Sequence, residues 1–123
     1  MIRVLLVDDD DRVRRGWQMR LALEPDMAVV GAAGDMTAAV AAAAARPHVI
    51  LLDIELPGPD GLSGIAALRR AAPQAAIIIV TVYDSATNHR QALLAGAAAF
   101  ISKQADFDQL LALMRRVGAG ELS

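Results

Sequence analysis

Three aspartates, a threonine and a lysine stand at or just beyond the ends of short apolar runs. Asp8 and Asp9 follow Val4 to Val7, Asp53 follows Val49 to Leu52, Thr81 follows Ile77 to Val80, and Lys103 comes shortly after Phe100 and Ile101. If those runs are strands of one parallel sheet, these residues share its carboxyl edge, where ligands bind in sheets of that kind. Three carboxylates in one small site repel each other, so the site needs a cation or raised carboxylate pKa values. Oxygen ligands without histidine or cysteine favour Mg²⁺, which uses one or two carboxylates plus a substrate phosphate and keeps several waters. Lys103 supplies the remaining positive charge. The chain has no cysteine, which excludes a disulfide scaffold, a thiolate metal site and a cysteine nucleophile, and suits a reducing cytoplasm.

The elements that would position these residues follow from hydrophobic patterning. A further run, Ala28 to Val30, brings the strand candidates to five. Most are Val, Ile and Leu without polar alternation, the pattern of parallel strands covered on both faces. Helical stretches lie between them. The first begins near Asp10 or Asp11, places Val13, Trp17 and Leu21 on one face with Arg12, Arg14, Arg15 and Arg20 toward water, and ends at Pro25 and Asp26. The second covers Met36 to Ala45 with Asp35 as N-cap. The third follows the loop Leu56 to Gly61, turns Ile65 and Leu68 inward and stops before Pro73. A fourth runs from Ala86 to Ala95 and ends at Gly96. In the fifth, Asp106 and Gln109 are spaced as a capping box, Phe107, Leu110, Leu111 and Met114 form the apolar face, and Gly118 is the C-cap. Alternating strands and helices with short connections predict an α/β, doubly wound parallel sheet with right-handed crossovers.

Composition bounds the function classes. With 123 residues, 55% hydrophobic and 21% charged, the chain is expected to fold as one domain spanning 1–123, with no output domain beside it. Its formal charge of −2 gives no basic excess for nucleic acid or an anionic membrane. The run Val4 to Val7 is closed by four aspartates, unlike a signal peptide, and no apolar stretch approaches the ~20 residues that cross a bilayer. A soluble, cytoplasmic protein is expected.

Taken together, VDDD at Val7 to Asp10, LLDIELPGPDG at Leu51 to Gly61, the threonine of VTVYD and GAAAFISK at Gly96 to Lys103 resemble a response-regulator receiver domain of bacterial two-component signalling. The resemblance covers nearly the whole chain. It implies a flavodoxin-like (βα)5 fold with strand order 2-1-3-4-5, and a phosphoacceptor rather than an enzyme. Asp53 would accept a phosphoryl group from a sensor histidine kinase. Asp8, Asp9, Asp53 and the backbone carbonyl of Glu55 would hold Mg²⁺, and Lys103 would contact the phosphate. Thr81 would be the switch hydroxyl and Phe100 the aromatic switch residue, changing a surface made by the fourth and fifth strands and helices. IAALRRAAP, TVYD and the tail VGAGELS are similar to receivers that precede a helix-turn-helix output domain of the NarL/LuxR type. The output would thus be such a domain or a separate target, and a phosphorylation-dependent homodimer through the switch face is a further expectation.

Other residues read as structure. Asp10 and Asp11 suit the cap and first turn of the first helix. Pro57, Gly58, Pro59 and Gly61 suit turn geometry. His48 precedes a buried strand and His89 sits on a surface helix, without metal-ligand spacing. Trp17 and the scattered methionines are packing residues, and no dinucleotide or P-loop motif occurs. Three positions depart from the commonest receiver pattern: Gln104 follows Lys103 where proline is frequent, Val82 follows Thr81 where a small residue is frequent, and Phe100 replaces tyrosine. Two rival classes are an aspartyl-phosphate phosphatase, disfavoured because Asp53 is followed by Ile54 and Glu55 rather than a DxDx[TV] pattern, and a pseudo-receiver that only binds partners, which Val82 keeps open.

Overall fold

A computed structural model describes residues 1–53, 61–82 and 86–118. Five strands, β1 (Ile2–Val7), β2 (Met27–Ala33), β3 (Val49–Leu52), β4 (Ala76–Thr81) and β5 (Ala99–Ser102), alternate with α1 (Asp11–Leu21), α2 (Met36–Ala42), α3 (Gly61–Ala71), α4 (Ala86–Ala95) and α5 (Phe107–Gly118). All neighbouring strands are parallel, as the alternation of elements predicts, in the order β2-β1-β3-β4-β5 that the family resemblance implies. Side chains of a strand alternate between its two faces. Leu5, Val7, Ile50, Leu52, Ile77 and Ile79 pack with Met36, Ala39, Ile65, Leu68 and Ala92 of α2, α3 and α4. Val4, Leu6, Val49, Leu51, Ile78 and Val80 pack on the other face with Leu21 of α1 and with Leu110, Leu111, Met114 and Val117 of α5. Apolar residues at successive positions of the central strands therefore serve two cores, which is why those strands lack polar alternation.

Local signals set most helix ends. Asp10 caps α1 by accepting the Arg12 backbone N–H at 2.9 Å, and Asp35 caps α2 by accepting that of Ala38 at 2.8 Å. The Gln109 side chain accepts the Asp106 N–H at 3.3 Å, the reciprocal half of a capping box. Gly96 ends α4 with φ +111, a conformation that favours glycine. α1 already stops at Leu21, short of Pro25 and Asp26, where the Ala22 and Leu23 N–H groups turn back onto the last helical carbonyls, and three further elements differ from the expectation. α2 stops at Ala42, and Ala43–Ala45 tighten into a 3₁₀ turn closed by Arg46 at φ 57, just before Pro47. β2 runs on through Gly31, Ala32 and Ala33, small residues with little strand preference, because their backbones pair with β1 across a register shift at Val4/Leu5. Gly118 is the last helical residue of α5 and not a left-handed cap; a Cβ there would lie 3.2 Å from Ile2 Cδ1, so close approach to β1 explains the glycine. Among the described residues, no helix is long and apolar enough to cross a membrane.

Candidate functional site

Register delivers the chemistry-bearing residues to one edge. Val7 of β1 pairs with Leu52 of β3, so the residues that follow, Asp8 and Asp53, are neighbours, and the Asp53 N–H donates to the Val7 carbonyl at 2.9 Å. Leu52 pairs with Ile79, which puts Thr81 one residue beyond the level of Asp53. Thr81 pairs with Ser102 and its carbonyl accepts the Lys103 N–H at 2.8 Å, so Lys103 leaves the sheet where Thr81 ends it.

Asp8 and Thr81 are fully buried, Asp53 is nearly so, and Asp9 is exposed. One carboxylate oxygen from each of Asp8, Asp9 and Asp53 lies within 4.8 Å of the others. Lys103 Nζ stands 2.7 Å from Asp8 Oδ2 and donates a hydrogen bond to Asp53 Oδ2 at 3.1 Å. Burial pulls the Lys103 pKa down, but the Asp8 and Asp53 carboxylates more than offset it, so the ammonium titrates above its ordinary value. One ammonium against three carboxylates leaves the cluster negative. Asp8 Oδ2 is buried, with the Lys103 ammonium as its close partner. A clustered, all-oxygen, net negative donor set of two buried carboxylates and one exposed one fits a hard divalent cation such as Mg²⁺.

Thr81 and Phe100 face the same side of the sheet. Ile79 pairs with Phe100 and Thr81 with Ser102, and residues two apart on a strand share a face. Phe100 packs at the margin of the core formed with α3 and α4, and its ring stacks on that of His89 of α4, with centroids 4.9 Å apart and planes 10° apart. His48 lies at the far end of the sheet, where its Nδ1 accepts the Arg3 N–H at 2.9 Å. Val82 is exposed. The Lys103–Gln104 peptide is trans, and the Gln104 N–H donates to Ser102 Oγ at 3.1 Å. Glu55, the loop Leu56 to Asp60, Tyr83, Asp84 and the tail beyond Gly118 lie outside the described residues.

The structure corrects one orientation near the site. Arg12 and Arg15 are exposed as expected, but the Arg14 side chain is only 20% exposed and turns back toward the β1–α1 junction. Its Nη1 donates to the Asp8 carbonyl and its Nη2 to Asp11 Oδ1 at 2.9 Å. The lean of helical side chains toward the amino end was the available signal for this, since Arg14 is in the second turn behind the aspartates.

Known proteins with this pattern agree. The family model for the response regulator receiver domain matches residues 4–115. The chain is 38% identical over 121 residues to the DNA-binding transcriptional activator DevR/DosR of Mycobacterium tuberculosis, covering 98% of this chain and 56% of that protein. It is 38% identical over 119 residues to the nitrate/nitrite response regulator protein NarP of Escherichia coli, covering 96% and 55%. A crystal structure of a two-component response regulator of the LuxR family from Aurantimonas sp. SI85-9A1 superposes with TM-score 0.90 at 30% identity, covering 98% of this chain and 86% of that one. The chain thus spans about half the length of the curated relatives it matches. A family match over most of its length, joined to relatives well above 30% identity over almost all of it, makes this chain a member of the response regulator receiver domain family.

Proposed function

We propose that this receiver takes a phosphoryl group from the phosphohistidine of a sensor histidine kinase onto the Asp53 carboxylate, in a reaction that requires Mg²⁺. The observation that carries the reading is the gathering of Asp8, Asp9 and Asp53 carboxylate oxygens within 4.8 Å, with the Lys103 ammonium against two of them. Asp8, Asp9 and Asp53 would hold the ion, with the Glu55 carbonyl as a further ligand expected from the family. Bound Mg²⁺ supplies charge neutralisation on the transferring phosphoryl oxygens. An Asp53 carboxylate oxygen forms the new bond to phosphorus while the P–N bond breaks. The electron pair leaves with the imidazole nitrogen, and the product is an acyl phosphate. Lys103, already hydrogen-bonded to Asp53, balances charge on the incoming group.

Thr81 and Phe100 carry the consequence. The Thr81 hydroxyl is drawn to the new phosphoryl oxygens, Phe100 turns into the space it leaves, and the surface of β4, α4, β5 and α5 shifts between two states. This is signalling by a phosphoacceptor, without turnover of a small-molecule substrate. We read 1–123 as one receiver unit whose output is transcriptional, through a helix-turn-helix domain or a separate target protein, as the DNA-binding relative DevR/DosR suggests. A homodimer through the switch face belongs to the same reading. A domain serving such an output shares the compartment of the DNA, which in bacteria is the cytoplasm, and the charge of −2 leaves DNA contact to the output partner.

The test is intact mass after incubation with acetyl phosphate, with and without Mg²⁺, beside Asp53→Ala. One phosphoryl group should be added only with Mg²⁺ and only to the parent chain. No adduct on the folded protein, while another receiver is labelled in parallel by the same donor, would overturn the reading in favour of a pure interaction module.

A further inference from the structure

We propose that Arg14 is a positioning residue for the acidic pair, holding the Asp8–Asp9 peptide so that Asp9 is presented to the divalent cation; this rests on the Mg²⁺ reading above. The Asp8 carbonyl that accepts from Arg14 Nη1 belongs to the peptide joining Asp8 to Asp9, so its orientation decides where the Asp9 carboxylate goes. The Asp8 side of that peptide is pinned independently. Its N–H donates to the Ala33 carbonyl at 3.1 Å and its Oδ1 accepts the Asp10 N–H at 2.9 Å. Asp9 is the exposed member of the cluster and lacks the burial that fixes Asp8 and Asp53. A planar guanidinium can hold Asp8 and Asp11 at once from two nitrogens, which a lysine ammonium does not reproduce. Gly34, between β2 and α2, leaves room for it: a Cβ there would lie 3.1 Å from Arg14 Nη1 and 3.9 Å from the Asp8 carbonyl oxygen.

Charge alone predicts the opposite of positioning. A cation beside a divalent-ion site repels the ion, so its removal should tighten binding. Loss of a residue that orients metal ligands typically weakens affinity about 10- to 100-fold. The experiment is a Mg²⁺ titration of the unphosphorylated chain, followed by the backbone amide resonances of Asp8 to Asp11, for the parent, Arg14→Lys, Arg14→Gln and Gly34→Ala, each with a melting curve. Both Arg14 variants should bind Mg²⁺ at least about tenfold more weakly, although one keeps the charge, and Gly34→Ala should weaken binding in the same direction. Parent-like affinity in folded Arg14→Lys, or unchanged or tighter binding in folded Arg14→Gln, would overturn the proposal and leave the Mg²⁺ reading intact. A parent chain with no saturable Mg²⁺ response would overturn that reading, and this proposal with it. If Arg14→Gln does not fold, Arg14→Lys and Gly34→Ala decide.

Discussion

At each end of the sheet one basic side chain lies between two carboxylates, and the two arrangements do different things. At the carboxyl edge, Lys103 meets Asp8 and Asp53, whose side chains are 0% and 6% exposed. At the amino edge, Arg115 of α5 meets Glu24 at 2.6 Å and Asp26 at 2.9 and 3.1 Å in the turn between α1 and β2, and the three side chains stay partly exposed, at 27–45%. The Arg115 fork engages both oxygens of Asp26, and the positive amino terminus, which also acts on Asp26, balances the second carboxylate of this group. Lys103 is a single point charge with a third carboxylate, Asp9, close by. The first group of charges is closed and screened, a tie between α5 and the α1–β2 turn. The second is buried and left negative, so it is poised to take up another cation. Functional charge is thus marked by burial and imbalance rather than by the number of ion pairs.

The largest effect that distinguishes them is on phosphoryl transfer. Lys103→Met removes the cation nearest the transferring group, and labelling by acetyl phosphate should slow about 100-fold, the usual cost of losing one electrostatic contact to developing charge. Mg²⁺ should still bind, since a competing cation has gone. Arg115→Ala should label at the parent rate within about twofold. The pH dependence separates the same pair. The Lys103 pKa is raised above its ordinary value of 10.5, so its contribution to stability is complete below that value and is lost as pH climbs through the higher folded value. The gap in melting temperature between the parent and Lys103→Met should hold to about pH 10 and narrow above it. Equal labelling by Lys103→Met and Arg115→Ala would collapse the comparison.

The sequence made the carboxyl edge legible and the amino edge not. Asp8, Asp53 and Thr81 each end an apolar run, and a parallel register then brings them together with no further information. The matching family motifs added roles to those positions. Arg115, Glu24 and Asp26 lie about 90 residues apart along the chain, with no run or motif to join them. Arg14 was legible as a helix residue but not as a site residue, because its inward turn depends on the Asp8 carbonyl and on the space over Gly34. His89 likewise gave no sign in its spacing that it stacks on Phe100, since that contact is made between α4 and β5. What escapes a sequence of this kind is the pairing of side chains across elements whose separation along the chain carries no periodicity.

A smaller effect sharpens the role of imbalance. Mg²⁺ at ten times its dissociation constant should stabilise the folded chain by about 1.4 kcal/mol, raising the melting temperature by roughly 5–6 °C. Asp9→Asn removes the exposed carboxylate without touching the buried Lys103 contacts, so it should lose most of that increment while its metal-free melting temperature stays close to the parent's. Differential scanning fluorimetry with and without Mg²⁺ reads both. A full Mg²⁺ increment in Asp9→Asn would mean that Asp8 and Asp53 suffice, and that the third carboxylate is not what leaves the site open to a metal.

The smallest effect belongs to the closed group. Arg115→Ala should lower the melting temperature by no more than about 2 °C, because exposed ion pairs contribute little and are screened by salt. The hydrogen bond from Arg115 holds the Asp26 carboxyl below its ordinary pKa of 3.8, against an opposing desolvation. A depressed carboxyl contributes its stability above the ordinary value and loses it as pH falls through the folded one. The difference between parent and Arg115→Ala should therefore be flat from pH 5 to 8, shrink below about pH 4 and shrink again at high salt. That acid window is the reverse of the alkaline one for Lys103, although each is a cation held by carboxylates. In the Arg115 group the titrating partner is the acid whose pKa is lowered, whereas at the carboxyl edge it is the base whose pKa is raised. A difference that persisted undiminished in high salt would show the Arg115 tie to be shielded from solvent, and the contrast between the two ends would then rest on charge balance alone.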